Sequence, residues 1–204
     1  MDVAAPAHEP SGAEEPSSGS GRPARPPLLA VGTIVWLASE LMFFSGLFAV
    51  YFTLRATSHG PWPPEGVELN AEIAGVFTLA LLASSGTMQL AVRAITAGDR
   101  ARFRRWVLAT VALAVLFLAN QAREWSTATF QLSSHPFGSA FYVMTGFHGL
   151  HVAGGVAAMV ILLGRATAPH FGEEDAPAVE VVSYYWHFVD VVWVALYATL
   201  FLLK

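Results

Sequence analysis

Residues 107–118, VLATVALAVLFL, decide the fold, because no position in this run is charged and its apolar side chains do not alternate with polar ones. Strands of a membrane barrel would require such alternation over about 10 residues. A helix satisfies its backbone hydrogen bonds internally and needs about 20 mainly apolar residues to cross roughly 30 Å of hydrocarbon. The run therefore predicts a membrane-spanning helix.

Four further segments have the same character, and together they predict an all-α polytopic membrane protein. The five predicted spans are residues 28–54, 71–95, 106–125, 139–163 and 179–203. We expect them to form one bundle of five transmembrane helices, a domain that covers residues 28–204. No internal repeat is evident.

The composition agrees with lipid as the solvent. Of 204 residues, 54% are hydrophobic and 13% are charged, whereas a soluble domain carries about 25% charged residues. The net charge of −4 predicts neither nucleic acid nor another polyanion as a partner. The chain has no cysteine, which excludes disulfides, thiolate metal sites and thiol nucleophiles.

The first 27 residues differ from the rest of the chain. They are rich in Pro, Gly, Ser, Ala and Glu and contain no apolar run, so they cannot bury enough surface to offset the entropy of ordering. We predict a disordered tail. A secretory signal peptide would begin with basic residues and an apolar core, and neither is present, so the first span is expected to act as the targeting signal.

The basic residues are distributed unequally between the two ends of the predicted spans. One side has eight and the other has three. Basic flanks favour the cytoplasmic side, which predicts a cytoplasmic N-terminus and an outer C-terminus. The first side carries Arg22, Arg25, Arg93, Arg100, Arg102, Arg104, Arg105 and Arg165, and the other carries Arg55, Arg123 and Lys204.

The predicted outer loop between the first two spans contains Trp62, Pro63 and Pro64. Two prolines in succession restrict the backbone, so we expect a rigid turn. Tryptophan is enriched where a membrane meets water, and Trp62 is therefore predicted to be an interfacial anchor.

Ionisable groups at membrane depth are costly and usually face the bundle interior or a functional path. Glu40 lies 12 residues past Leu28, about 18 Å along a helix, among apolar neighbours. It is either a proton-active group or an anchor between helices. His148 and His151 lie three residues apart on one side of the fourth span, with glycines around them. Two histidines at this spacing suggest haem or metal ligands, but a structural role is favoured because few further ligands could converge on them.

The fifth span also carries polar groups. His187 and Asp190 lie three residues apart, and Asp190 is expected to pair either with His187 or with a group on a neighbouring helix. Glu124, next to Arg123 near the end of the third span, is interpreted as a member of an interfacial ion pair. There is no nucleotide-binding glycine loop or serine elbow.

Several motifs resemble subunit III of the haem–copper cytochrome c oxidases. Residues 39–48 (SELMFFSGLF) resemble the helix of that family which carries a membrane glutamate, and the match continues in the same order to the C-terminus. The other matching segments are Trp62-Pro63-Pro64, Leu69-Asn70, Gly98-Asp99-Arg100, Gln121-Ala122 with Glu124, residues 145–152 (TGFHGLHV) and residues 185–193 (YWHFVDVVW).

The resemblance implies a non-catalytic subunit of an aa3-type oxidase in an aerobic respiratory chain, located in a bacterial cell membrane. Haem a, haem a3 and copper would lie in partner subunits I and II, and this chain would bind no metal. It would pack on subunit I, bind phospholipid, and sustain proton uptake and stability during turnover. Membership of a supercomplex with cytochrome bc is left open. The usual subunit has seven helices, and this chain resembles the short five-helix versions of actinobacterial oxidases.

The resemblance also implies roles for single residues. Glu40 corresponds to the family's membrane carboxylate, and His148 to its hydrogen-bond partner. Arg165 and His170 match a basic cluster that contacts phospholipid head groups, whereas His151, His187, Asp190 and Glu124 would be structural. The alternatives are subunit III of a quinol oxidase, a homologue associated with nitric oxide reductase, and, more distantly, a proton-coupled transporter that acts alone.

Overall fold

The computed structural model describes Met1 and residues 28–203. Within this part of the chain the prediction of an all-α membrane protein is confirmed, because five helices are long and apolar enough to cross a membrane. The predicted disordered tail lies outside the described residues except for Met1, as do Arg22, Arg25 and Lys204.

Four of the five helices are longer than the apolar runs that predicted them, and the last helix begins three residues earlier than predicted and ends at Tyr197. A short 3-10 turn, Glu173–Asp175, leads into the last helix, and a π-helical turn, Ala198–Leu202, follows it. The helices are α1 (Leu28–Thr57), α2 (Ala71–Thr96), α3 (Arg100–Thr127), α4 (Pro136–Arg165) and α5 (Ala176–Tyr197).

The largest difference from the prediction lies at the start of α3. Arginines that were expected in a loop belong to its first two turns, and the loop itself is only residues 97–99. Asp99 caps the helix, since its side chain accepts a hydrogen bond from the Arg102 backbone N–H at 2.9 Å. Gly98 makes the tight turn with a φ of +70°, which favours glycine. Apolar content alone could not reveal this cap.

The chain crosses back and forth, so its loops gather at two ends. At the arginine-rich end, defined by residues 97–99 and 166–175, the Arg100 guanidinium donates to the carbonyls of Ala168 and Pro169 at 3.1 and 2.9 Å. At the opposite end, Thr129 donates to the Gly66 carbonyl at 3.2 Å. These contacts join the start of α3 to the loop before α5 at one end, and two neighbouring loops to each other at the opposite end.

Trp62, predicted to be an interfacial anchor, is partly buried and packs against the opposite end of the bundle. Its indole N–H donates to the Tyr51 hydroxyl at 2.9 Å, and that hydroxyl donates to the Thr199 carbonyl at 3.1 Å. The Trp62 ring also lies edge-on to Phe137 at 5.4 Å. The loop is therefore ordered by contacts with α1, α4 and the end of the chain.

Helix α5 lies at the centre of the bundle and α1 at its edge. Half of the apolar window of α5 is buried, compared with 11% for α1. Two fully buried tryptophans of α5 face hydroxyls of α2: Trp186 donates to Ser84 and Trp193 to Thr78, each at 2.9 Å. These bonds satisfy indole N–H groups that would otherwise be buried without a partner.

Glycine lets α4 approach Trp186 closely. A Cβ atom added at Gly155 would lie 2.7 Å from Trp186 Cε3, closer than packed carbon atoms allow. Gly149, on the same helix, has nothing within 4 Å of its Cβ position. An added methyl group would therefore meet open space at Gly149 and would collide with the Trp186 ring at Gly155.

We expect Gly155→Ala to destabilise the protein by about 1 to 3 kcal/mol, the usual cost of overpacking. Gly149→Ala is the matched control and should keep or slightly raise stability, because its Cβ meets open space and alanine favours a helix. Thermal unfolding of the purified chain in detergent, followed by helical circular dichroism, measures both. Equal midpoints for the two variants would contradict the close packing of α4 on Trp186.

Candidate functional site

The polar side chains inside the bundle form two groups. The first, called here the carboxylate–histidine pair, joins Glu40 of α1 to His151 of α4. The second, called the serine-bridged cluster, contains Ser85 of α2 with Ser183, His187 and Asp190 of α5. Both lie within helices long enough to cross a membrane, where ionisable groups are rare and usually functional or paired.

The carboxylate–histidine pair connects the helix at the edge of the bundle to α4. Glu40 Oε2 lies 3.0 Å from His151 Nε2, and the two side chains are 23% and 18% exposed. Both side chains are thus mostly buried within the bundle. Because a hydrogen bond in such a setting is electrostatically stronger than in water, the pair holds α1 against α4.

The second nitrogen of His151 determines how this pair can carry a proton. His151 Nδ1 lies 2.7 Å from the Phe147 carbonyl, and since a carbonyl can only accept, Nδ1 carries the hydrogen. Nε2 is then free either to accept a proton from Glu40 or to hold it and donate to the carboxylate. One proton can therefore sit on either side of the same hydrogen bond.

Aromatic rings surround the pair. Phe44 lies edge-on to the His151 ring at 4.9 Å, and Phe43 contacts Phe147 at 5.0 Å. The Tyr185 hydroxyl donates to the His151 carbonyl at 2.9 Å and its ring stacks on Trp36 at 5.1 Å. The phenyl rings offer the carboxylate no hydrogen-bond donor, and the Tyr185 hydroxyl donates to the His151 carbonyl, so among the described residues the Glu40 carboxylate depends on His151.

The prediction that His148 is the partner of Glu40 is wrong in this structure. His148 is buried between Phe117 and Trp193, and its Nε2–H donates to the Val189 carbonyl at 3.3 Å. Three residues along a helix change the direction of a side chain by about 60°. That rotation turns His148 toward α3 and α5 and His151 toward α1.

The serine-bridged cluster explains how Asp190 is accommodated. The Ser85 hydroxyl donates to Asp190 Oδ2 and lies 2.8 Å from His187 Nδ1. His187 Nε2 lies 3.2 Å from the Ser183 hydroxyl. Since Ser85 uses its one hydrogen on the carboxylate, it must accept from His187 Nδ1–H, and Nε2 then accepts from Ser183. The bonds run in one direction from Ser183 to Asp190.

Of the two partners predicted for Asp190, the structure selects the group on a neighbouring helix. Ser85 lies between Asp190 and His187 and bonds to both, so these two side chains are connected through the serine hydroxyl. Sequence reasoning did not single out Ser85 or Ser183. The signal that could have found them is the presence of hydroxyls inside apolar runs, since such groups often bond across helices in lipid.

Three buried side-chain atoms have no hydrogen-bond partner among the described residues. One is the amide nitrogen of Gln121, and the other two are Asp190 Oδ1 and His148 Nδ1. Both are acceptor positions when unprotonated, and both lie at the contact of α5 with its neighbours.

Glu124 and Arg123 do not form the predicted ion pair. The Arg123 guanidinium bonds the Asn120 side-chain oxygen at 3.2 Å from Nη2, one turn back along α3. Glu124 instead lines a small cavity of about 130 Å³ with Asn70 and Ile73 at the opposite end of the bundle. Adjacent residues on a helix point about 100° apart, which disfavours a direct pair.

Arg165 and His170 are both exposed at the arginine-rich end. Arg165 closes α4 and forms an ion pair with Asp175, with Nη2 at 2.6 Å from Oδ1. His170 lies in the connection between α4 and α5. The two side chains share one end of the molecule, and Arg165 already has an acidic partner there.

Metal ligation finds no support in the placement of the histidines. In the described part of the chain, no three side chains of His, Asp, Glu or Cys are grouped so that they could hold a metal ion. His148, His151 and His187 are each directed to a carbonyl, a carboxylate or a serine.

The fold and the two polar groups define a multi-pass membrane protein whose interior polar side chains bond from one helix to another. A family model described as "Cytochrome c oxidase subunit III" matches residues 14–204. The chain therefore belongs to the cytochrome c oxidase subunit III family. It is thus a subunit of a haem–copper oxidase, an oxidoreductase complex in which it would partner other oxidase subunits and whose cofactors sit in those subunits.

Similar proteins agree with this assignment. The chain is 49% identical to "Probable cytochrome c oxidase subunit 3" of Nocardia farcinica, over 88% of this chain and 90% of the relative. It is 44% identical to "Cytochrome c oxidase subunit 3" of Corynebacterium diphtheriae over the same shares. A third relative with that name, from Thermostichus vulcanus, is 38% identical over 87% of this chain and 89% of its own.

The pairing of Glu40 with His151 can be tested by infrared spectroscopy of the purified protein with labelled glutamate. The carboxyl or carboxylate band of Glu40 is identified by its absence in Glu40→Gln. We expect His151→Gln to shift this band, because the hydrogen-bond partner changes. His187→Gln is the control and should leave that band in place. An unchanged band in His151→Gln would refute the pairing.

Proposed function

We propose that this chain is the non-catalytic subunit III of an aa3-type cytochrome c oxidase, where it packs on subunit I in a complex with subunits I and II, binds lipid, and supports proton uptake and stability during turnover. The observation that carries the proposal is the Glu40–His151 pair at 3.0 Å inside the membrane-spanning helices. It joins an ionisable carboxyl to a histidine with a defined tautomer, and it requires no metal or cofactor in this chain.

The chemistry of the carboxylate–histidine pair suits proton exchange with its surroundings better than it suits redox chemistry. A proton can move along the hydrogen bond without any change in heavy-atom positions, since both partners are already in place. The side chains remain 23% and 18% exposed, so a proton donor from a neighbouring subunit or from water could reach them. Supply of protons to the catalytic subunit is the role proposed for this pair.

The surface of the chain supports a role inside a larger assembly. Helix α1 exposes large apolar side chains along much of its length, among them Ile34 and Met42, which are 66% and 76% exposed. In the membrane these would contact acyl chains or the helices of subunit I. Helix α1 also carries Glu40, so a subunit packed there would lie next to the proton-active pair.

Lipid binding is proposed at Arg165 and His170. Both lie at the arginine-rich end near the expected level of lipid head groups, and a fixed cation suits a phosphate. The ion pair of Arg165 with Asp175 at 2.6 Å orients the guanidinium and also reduces its net charge. A phosphate there would share Arg165 with Asp175.

We also propose a bacterial cell membrane as the location, with the N-terminus in the cytoplasm and the C-terminus outside. Within the described residues, six arginines lie at the arginine-rich end and two at the opposite end. An excess of arginine favours the cytoplasmic side. The six are Arg93, Arg100, Arg102, Arg104, Arg105 and Arg165, and the two are Arg55 and Arg123.

Isolation of the complex tests the assignment to an aa3-type oxidase. An affinity tag on this chain should recover, in mild detergent, a complex with the absorption of haem a and with copper, together with subunits I and II. A tag on an unrelated polytopic protein of the same membrane is the control. Recovery of a quinol oxidase or a nitric oxide reductase would contradict the aa3 assignment, and haem bound by the isolated chain would contradict its non-catalytic role.

Substitution of the carboxylate tests the proposed role in proton supply. We expect Glu40→Ala to retain most of the initial rate of oxygen consumption and to shorten the lifetime of activity during turnover, or to weaken assembly. The oxygen electrode measures both rate and lifetime in the purified complex. Ser45→Ala is the control on the same helix, since Ser45 bonds only its own backbone at the Leu41 carbonyl. Complete loss of the initial rate in a fully assembled complex would contradict the accessory role.

A further inference from the structure

The arginine-rich end has two grooves on the outer face of the α2–α3 hairpin. One has a volume of about 390 Å³ and is lined by Leu90, Arg93, Ala94, Arg102 and Trp106. The other, about 340 Å³, is lined by Arg102, Arg105, Trp106 and Ala109. The two grooves share Arg102 and Trp106, which line both of them. We call this surface the arginine–tryptophan site.

Helix geometry brings these residues together. The short loop of residues 97–99 makes α2 and α3 antiparallel neighbours, so the last turns of α2 face the first turns of α3. Arg102, Arg105 with Trp106, and Ala109 follow one another at the spacing of one helix face. Leu90 and Arg93 do the same on α2. The arginines stand near the helix ends, and the apolar residues lie deeper.

The arginines of the site are poorly neutralised. Arg93 and Arg105 are exposed and make no ion pair or side-chain hydrogen bond with the described part of the chain. Arg102 is 61% exposed and contacts the Asp99 carboxylate with Nε at 3.5 Å. Asp99 is itself a helix cap and 39% exposed. The surface therefore carries an excess of positive charge over two apolar grooves.

We propose that the arginine–tryptophan site binds one anionic phospholipid, with its phosphate among Arg93, Arg102 and Arg105 and its two acyl chains in the two grooves. Trp106 stands between the chains at the level where tryptophan is enriched in membrane proteins. Arginine suits a phosphate because its planar fork of donors bonds two oxygens at once. Two neighbouring grooves beside one group of arginines match a molecule with one anionic head and two apolar tails.

The shape and charge favour a lipid over other occupants. A free phosphate would leave both grooves unfilled, and an apolar helix of a partner would leave Arg93 and Arg105 without counter-charges at its edge. An anionic phospholipid satisfies both features. The proposal is separate from lipid binding at Arg165 and His170, since none of the residues that line the two grooves belongs to that pair.

Native mass spectrometry of the full purified chain tests the site. The probes are phosphatidylglycerol and phosphatidylcholine with identical acyl chains, and inorganic phosphate alone. We expect a preference for phosphatidylglycerol that falls about fivefold in Arg105→Gln and by roughly tenfold or more in the double variant R93Q/R105Q, as the loss of one or two arginines near a lipid head group predicts.

Arg104→Gln is the matched control, because Arg104 is exposed one position away and lines neither groove. It should keep the preference, and the thermal unfolding midpoint should show that each variant is folded. Equal loss in R104Q and R105Q, an unchanged preference in R93Q/R105Q, or equal binding of inorganic phosphate and phosphatidylglycerol would each overturn the proposal. Arg165→Gln should remove a different bound lipid, so failure there bears on the proposed function and leaves this site standing.

Discussion

Hydrogen bonds from the tryptophans of α5 to the hydroxyls of α2 are the interaction on which the rest of the bundle depends. Lipid is as apolar as the helix surfaces, so apolar side chains alone do not set one register between two helices. The bonds of Trp186 to Ser84 and Trp193 to Thr78 do, because each indole N–H has one hydroxyl in reach. The Tyr197 hydroxyl adds a third bond, to the Ala71 carbonyl at 2.9 Å.

This register explains the placement of the interior polar groups. With Trp186 against Ser84, the next residue of α2, Ser85, comes to lie between His187 and Asp190. Trp186 also occupies the space that Gly155 leaves on α4. The position of α4 in turn decides that His148 faces inward and that His151 meets Glu40 on α1. The helix contacts thus connect α2, through α5 and α4, to the carboxylate–histidine pair.

The two polar groups of the bundle differ in position, and we assign them different roles. The serine-bridged cluster joins α2 to the central helix α5, with Ser183 and Asp190 buried and its hydrogen bonds running in one direction, which suits a structural role. The carboxylate–histidine pair lies on the edge of the bundle beside an exposed apolar helix, where another subunit can pack. That difference in position is why we assign the proposed proton function to Glu40 and His151.

The sequence by itself determined the five spans, the class of protein and the identity of most interior polar residues, because hydropathy and unusual motifs are local properties. Residues 185–193 and 145–152 indicated the family without any contact being known. The tertiary structure alone decided that Glu40 pairs with His151, that Ser85 bridges Asp190 and His187, and that Trp62 packs inward. These choices depend on the rotation and register of one helix against another. Rotation between His148 and His151 is only about 60°, too small for spacing to resolve, and it is set by packing between segments that are far apart in the chain.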